Sequence, residues 1–365
     1  MVDIERIIGN FLIDGKYESS ECYGQGHIND TFAANFKMSD GTSRRYIFQR
    51  VNHTIFKEPI KLMENIVGVT NFLRNKIIEN GGDPDRETLN LIPAVHGNYF
   101  VDSENDVWRG YVFIENATSI QIPGNSGQLY SAGKAFGKFQ RMLSEYPAET
   151  LHETIKDFHN TPKRFEHFIE VLEKDSFNRA KDVKAEIDFI LKRAGDAPIL
   201  VDLLESGKIP LRVTHNDTKL NNVMIDNDTG EGICVIDLDT VLPGASIYDF
   251  GDGIRYGSNP GAEDEQDLSK VWMDLDYFKQ YTKGFLEESA STMNSTEIEF
   301  MPAAAKIMTY ECGMRFLTDF LEGDVYFKTH RDFHNIHRAR TQIKIISDME
   351  SKLDEMRKIV GECIE

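Results

Sequence analysis

The chain has 365 residues, with 60 acids against 41 bases and a formal net charge of −19 at pH 7, a balance that excludes the clustered cations needed to grip nucleic acid or an anionic membrane. Cys22, Cys234, Cys312 and Cys363 lie far apart with no CxxC pair, which excludes a disulfide scaffold or a cysteine zinc site. No basic start with an apolar run opens the chain and no stretch has the apolar length of a membrane span, so a soluble cytoplasmic enzyme of two lobes is expected.

The first hundred-odd residues read as strands around one helix. Residues 31–38 alternate, with Phe32, Ala34, Phe36 and Met38 on one face. Asp40-Gly41 supplies a hairpin turn and 45–51 returns as a second strand. Leu62, Ile66, Val69 and Leu73 share a helical stripe. Extended runs resume at 91–95 and 108–114, with a polar turn at 102–106 between them. Beyond Asn116 the pattern is mostly helical. Leu129, Ala132, Phe136, Phe139 and Leu143 line one face of a long helix, and Thr161-Pro162 reads as a cap followed by a first-turn proline. A β insertion is expected over 211–236, then helices that include 303–322 and 335–360. The expected division is an N-terminal nucleotide-binding lobe, 1–115, and a C-terminal catalytic and acceptor-binding lobe, 116–365.

The chemistry concentrates in Thr214-His215-Asn216-Asp217-Thr218-Lys219-Leu220-Asn221-Asn222, which contains the pattern His-x-Asp-x-Lys-x-x-Asn. Phosphoryl transfer needs an acceptor for a hydroxyl proton, a cation near the moving phosphate, and ligands for magnesium. Asp217, Lys219 and Asn222 offer one of each. The apolar runs 223–225 and 233–236, joined by the turn 226–230, read as a hairpin. Such a hairpin would set Asp237 opposite Asn222, so that one oxygen ligand from each arm could hold a single Mg²⁺. Asp239 would share a face with Asp237 if the chain stays extended, which makes it a second candidate ligand. Asp249-Phe250-Gly251 spells another magnesium motif, but 245–248 does not read as a strand following a hairpin. Asp249 and Asp252 are therefore expected to fix the catalytic loop by accepting hydrogen bonds.

Together, 215–224, 235–239 and 248–252 resemble the aminoglycoside phosphotransferase and choline-kinase superfamily. The fragments 26–31, 48–52, 157–165 and 314–319 are similar to its branch that phosphorylates N-acetylhexosamines. The resemblance runs from about residue 20 to about residue 345. It implies an α+β, protein-kinase-like two-lobed fold, with a small β-rich N-terminal lobe and a larger, mainly helical C-terminal lobe. It also implies Mg²⁺, ATP as co-substrate and a small-molecule sugar acceptor, with no nucleic acid or membrane partner, in a monomer or small homo-oligomer.

Within that outline Gly24-Gln25-Gly26 would cover the phosphates with backbone N–H groups, although Asn29 replaces the last glycine of a full Gly-x-Gly-x-x-Gly. The resemblance implies that His27 points at the acceptor sugar and that Arg315 and Tyr326 line its pocket. The hinge at 114–116 would bond adenine through its backbone, Glu115 included. Kinases place a lysine on the strand at 46–51, where this chain has Gln49-Arg50. Arg50 paired with Glu64 is preferred on charge grounds, yet alternation puts Gln49 and Arg50 on opposite faces and leaves open which one faces ATP. Glu311, Arg315 and Asp319 also read as a solvent-facing ion-pair ladder, and Tyr326 as core or as a sugar-stacking ring. The ten acids against three bases in 261–300 read as a solvated helix face.

The expected reaction is ATP-dependent phosphorylation of a sugar hydroxyl, most specifically the anomeric hydroxyl of N-acetylglucosamine or N-acetylgalactosamine. The alternatives are a kinase of choline, homoserine or an aminoglycoside, and a non-catalytic nucleotide-binding protein of the same fold.

Overall fold

The computed structural model describes residues 3–24, 29–103 and 106–364. The N-terminal lobe is one antiparallel sheet of β1 (Lys16–Cys22), β2 (Asp30–Lys37), β3 (Ser43–Arg50), β4 (Val101–Ser103) and β5 (Asp106–Val112), in the order β1-β2-β3-β5-β4, with α1 (Ile4–Ile8) and α2 (Pro59–Glu79) beside it. Pairing runs from Asp30↔Arg50 to Lys37↔Ser43 between β2 and β3, and from Tyr46↔Val112 to Arg50↔Trp108 between β3 and β5. Ala34, Phe36, Tyr46, Phe48 and Trp108 therefore share one face, where they form a cluster with Ile7 and Ile8 of α1. Thr31, Gln49 and Arg109 form a row across the opposite face.

The run 91–95 is not a strand. Pro93 has no N–H to give a ladder, and the segment makes only the single bridges Phe11↔Ala94 and Leu91↔Tyr111. Asp102 and Ser103, expected in a turn, belong to β4. The stripe of α2 is buried as its spacing implies. Its core, however, continues through Phe136, Phe139, Val223 and Val241 of the second lobe, so the apolar interior crosses the expected boundary at 115/116.

Past that boundary β6 (Ala117–Ser119) joins β8 (Val223–Asp226) and β9 (Gly232–Val235) in one small sheet, and β7 (Arg212–Thr214) pairs with β10 (Leu242–Gly244) in another. Around them lie α3 (Ser126–Met142), α4 (Thr161–Lys174), α5 (Lys184–Leu191), α6 (Ile199–Glu205), α7 (Ser246–Gly257), α8 (Leu275–Ser289), α9 (Ser295–Leu321) and α10 (His334–Glu362). The cap of α4 is Asn160, whose Oδ1 accepts from the Lys163 N–H at 3.2 Å. Thr161, the expected cap, is already helical and gives its hydroxyl to Glu311 at 2.6 Å. α9 begins at Ser295 rather than 303, because a reciprocal capping box of Asn294 and Glu297 starts it and Pro302 is carried inside.

α3 and α8 touch backbone to backbone. A Cβ on Gly133, Gly137 or Gly284 would stand 2.2, 2.3 and 2.2 Å from the carbonyl oxygens of Tyr281, Phe285 and Tyr130. This close seating fixes α3, whose Phe136 and Phe139 rings flank His215 at 5.6 and 5.9 Å. Among the described residues, no helix is long and apolar enough to cross a membrane.

Candidate active site

The loop after β7 is built around a buried histidine. His215 Nε2 donates to the Ile236 carbonyl at 2.8 Å, and Nδ1 accepts from the Asp217 N–H at 3.2 Å. These partners assign the Nε2–H tautomer. Asn216 sits at φ 65°, a left-handed conformation, and its side-chain amide holds the Thr214 and Thr240 carbonyls at 3.2 and 2.8 Å. Asp249, in the first turn of α7, accepts from the His215 N–H at 2.9 Å, the Asn216 N–H at 2.8 Å and Gln140 Nε2 at 2.5 Å. Asp252, one turn on, accepts from the Thr218 N–H at 2.9 Å and pairs with Arg255 at 2.7 Å. α7 thus grips the loop by the backbone amides of His215, Asn216 and Thr218, on either side of Asp217.

Asp217 meets Lys219 Nζ at 2.9 Å. Asn222 Nδ2 donates to the Asp217 carbonyl at 2.8 Å and to its carboxylate at 3.1 Å. β8 and β9 pair through Val223↔Val235, and the Ile236 N–H reaches the Asn222 carbonyl at 2.9 Å. Asn222 and Asp237 therefore end the two arms of one hairpin side by side. Burial pushes the Asp217 carboxyl up, but the Lys219 charge and hydrogen bond, with His215 and Arg255, outweigh it and hold it below its usual value. Lys219 is raised in turn, first by Asp217.

Asp237 is the opposite case. It is exposed at φ 60° and its carboxylate accepts no hydrogen bond among the described residues. Its crowded surroundings, then the like charges of Asp239 and Asp217, push it up to about 6. A partnerless carboxylate beside an amide oxygen is a hard donor set, and it fits Mg²⁺, which takes one or two protein oxygens and leaves the rest to substrate and water. No group of three or more His, Cys, Asp or Glu able to hold a metal occurs among the described residues.

Several expected positions are corrected. Asp239 is not free to ligate: Arg109 Nη1 holds one oxygen and Asn29 Nδ2 holds the other at 2.6 Å. The extension that would align it with Asp237 fails because Asp237 is at φ 60° and a 3₁₀ turn follows. Arg50 shares the outward face of Phe48 and bonds Asp30 and Asp106, while Glu64, its expected partner, pairs with His152 at 2.7 Å. Gln49 is the cleft-facing residue. Its Oε1 accepts from Arg109 Nε at 3.0 Å and Nη2 at 2.9 Å, and its Nε2 reaches Thr31 Oγ1 at 3.1 Å. Sequence reasoning passes over Arg109, which is 1% exposed; a single charge inside Val107-Trp108-Arg109-Gly110-Tyr111 is the signal that could have found it. At the hinge, the Glu115 side chain pairs with Arg45 and its carbonyl already accepts from Arg86 at 3.0 Å. Gly24 stands at φ +76° with open space around it. Gly26 and His27 lie outside the described residues.

The ladder through Arg315 does not form. Glu311 is buried and bound by His159 Nδ1 at 2.8 Å and by Thr161. Asp319 accepts from the backbone N–H groups of Val325, Tyr326 and Phe327 at 2.9, 2.7 and 3.0 Å. Arg315 instead lies among the rings of Phe158, Phe327 and Tyr326, at 5.5, 5.5 and 5.8 Å from their centres, with no ion pair among the described residues. Tyr326 is exposed. His159 Nε2 also faces the Asn216 carbonyl at 3.3 Å, so it touches α9 and the catalytic loop at once.

Residues 133–275 match the model of the phosphotransferase enzyme family. Across nearly its whole length the chain is similar in fold to an aminoglycoside phosphotransferase from Alicyclobacillus acidocaldarius, at 10% identity over 98% of this chain and 96% of that one, with a TM-score of 0.63. A microcompartment-associated aminopropanol kinase aligns at 12% identity over 97% of each chain, with a TM-score of 0.58. An ethanolamine kinase from Plasmodium vivax aligns at 14% identity over 93% and 84%, with a TM-score of 0.56. At these identities the likeness is one of fold. The matched segment carries the loop 214–222, the β8–β9 hairpin and α7, and the chain as a whole shares the two-lobed α+β fold of these phosphotransferases, with a small β-sheet lobe and a larger helical one.

Proposed function

We propose that the chain is an ATP-dependent small-molecule kinase that phosphorylates the anomeric hydroxyl of an N-acetylhexosamine, N-acetylglucosamine or N-acetylgalactosamine. The observation that carries the kinase reading is the meeting of Asp217, Lys219, Asn222 and a partnerless Asp237 at the open end of one hairpin. In this reading Asp217 orients the acceptor hydroxyl and takes its proton. Lys219 keeps that carboxylate charged and stabilises negative charge on the transferring group. Asn222 and Asp237 would hold Mg²⁺, which when bound offsets charge on the phosphate oxygens. Gly24 and Gly26 would cover the phosphates, and His27, Arg315 and Tyr326 would contact the acceptor.

The electrostatics on the acceptor side favour a neutral substrate. Arg315 faces rings rather than carboxylates, and burial, then its like charge, lowers the pKa of nearby Arg164. A choline, an ethanolamine or an aminoglycoside would bring a cation to these guanidiniums, whereas a ring with hydroxyls and an acetamide brings acceptors and an apolar face.

The test is a panel of hexosamines, choline, ethanolamine and aminoglycosides with Mg-ATP, reading ADP release and locating the new phosphate by NMR. Turnover on an N-acetylhexosamine with phosphate on C1 is expected. Turnover on the cationic acceptors alone would refute the acceptor assignment.

A further inference from the structure

We infer that Arg109 on β5 is the cation that grips the nucleotide phosphates, one strand away from where kinases usually carry a lysine; the inference rests on the kinase reading above. On β3 the cleft-facing positions offer Arg45, Ile47 and Gln49. Arg45 is committed to Glu115 and to the Phe113 ring, 3.7 Å from its guanidinium. That leaves neutral Gln49 where the lysine would stand. Directly across the ladder from Gln49 is Arg109.

The surroundings of Arg109 are those of an aimed group. Gln49 Oε1 takes two of its N–H groups, while Thr31 fixes the Gln49 amide from the other side. The row Thr31–Gln49–Arg109 therefore leaves the guanidinium one orientation, with its remaining edge turned across the cleft to Asp239. Asp239 is two residues from Asp237, whose charge also acts on Arg109. The guanidinium thus ends beside the candidate metal ligand, where phosphate oxygens would lie. A planar fork suits a phosphate as it suits a carboxylate. Arg109 and Asp239 cover each other, with 1% and 4% of their side chains exposed, so an arriving phosphate would have to draw the guanidinium from the carboxylate.

A purely structural ion pair between the lobes is the competing account, and nucleotide binding without acceptor separates the two. Full-length protein is titrated calorimetrically with Mg-AMP-PNP and, separately, with adenosine, which has no phosphate. Arg109→Gln should weaken Mg-AMP-PNP about tenfold or more and leave adenosine within about twofold. Adding Gln49→Lys to Arg109→Gln returns a cation to the neighbouring strand and should recover most of the loss. Arg109→Lys keeps the charge without the fork and should weaken Mg-AMP-PNP severalfold, which keeps the test open if Arg109→Gln does not fold. Equal weakening of both ligands, no rescue by Gln49→Lys in a folded protein, or wild-type binding in either single variant would overturn the inference. Failure of the wild type to bind Mg-AMP-PNP would remove the kinase reading and this inference together.

Discussion

Asp249 gives the sharpest test of how the loop is held. Its wholly buried carboxylate accepts from two consecutive backbone amides, His215 and Asn216, and from Gln140. In Asp249→Ala both amides lose their partner inside the protein, and an unmade buried hydrogen bond costs about 1–3 kcal/mol per group. Gln140 keeps its bond to the Val213 carbonyl at 3.1 Å and loses less. Against this, a carboxylate whose pKa burial raises is itself costly, so its removal returns part of the loss. The balance is a destabilisation of about 2–4 kcal/mol. Asp249→Asn keeps an acceptor for one amide and faces the other with an N–H, and it should lose about half as much. Turnover should fall further than stability suggests, by about a hundredfold, because the freed amides adjoin Asp217 and small misplacement of a catalytic group is costly. Urea unfolding and steady-state ADP release, each at saturating substrates, measure the two effects. Stability within about 0.5 kcal/mol of wild type and turnover within about twofold would show that α7 does not hold the loop.

Asp217→Asn should leave thermal stability nearly unchanged and lower kcat by about 10²–10⁴-fold, the usual weight of a positioned base; full turnover would reject it. Asp237 titrates near 6 when folded against an ordinary 3.8, so the metal-free folded state binds more protons than the unfolded one between those values, and stability is lost as pH rises through that window. Asp237→Asn should therefore gain on the wild type in EDTA melts above pH 6 but not at pH 3.8, and Mg²⁺ should stabilise only the wild type; parallel pH profiles would contradict this. Gly137→Ala drives a methyl onto the Phe285 carbonyl, 2.3 Å from the added carbon, and should cost about 3 kcal/mol in urea unfolding.

The hairpin was readable because its information is local: two apolar arms and a turn pair Val223 with Val235 and bring the Ile236 N–H to the Asn222 carbonyl, one residue before Asp237. What needed the fold was parity and direction. Nothing within 43–50 reveals which face of β3 meets the cleft, since both carry half-apolar residues. The register that sets Phe48 opposite Gly110 and Gln49 opposite Arg109 decides it. Asp239 was misplaced by the assumption of extended backbone, which the left-handed Asp237 breaks. The start of α9 was hidden because that helix is buried on nearly every side and shows no single stripe, while Pro302 mimics a break. Arg315 looked solvated from its spacing to Glu311 and Asp319. Both acids had instead been drawn to other partners by segments distant in sequence or by the turn that follows the helix.

His159 has a consequence that reaches beyond its size. It leans on Glu311 with one ring nitrogen and on the Asn216 carbonyl with the other. Arg315 stands one helical turn from that glutamate, and Asn216 is the peptide immediately before Asp217. Two contacts of one imidazole ring thereby tie α9 to the peptide that precedes Asp217, so the position of that helix and the position of the loop are set together.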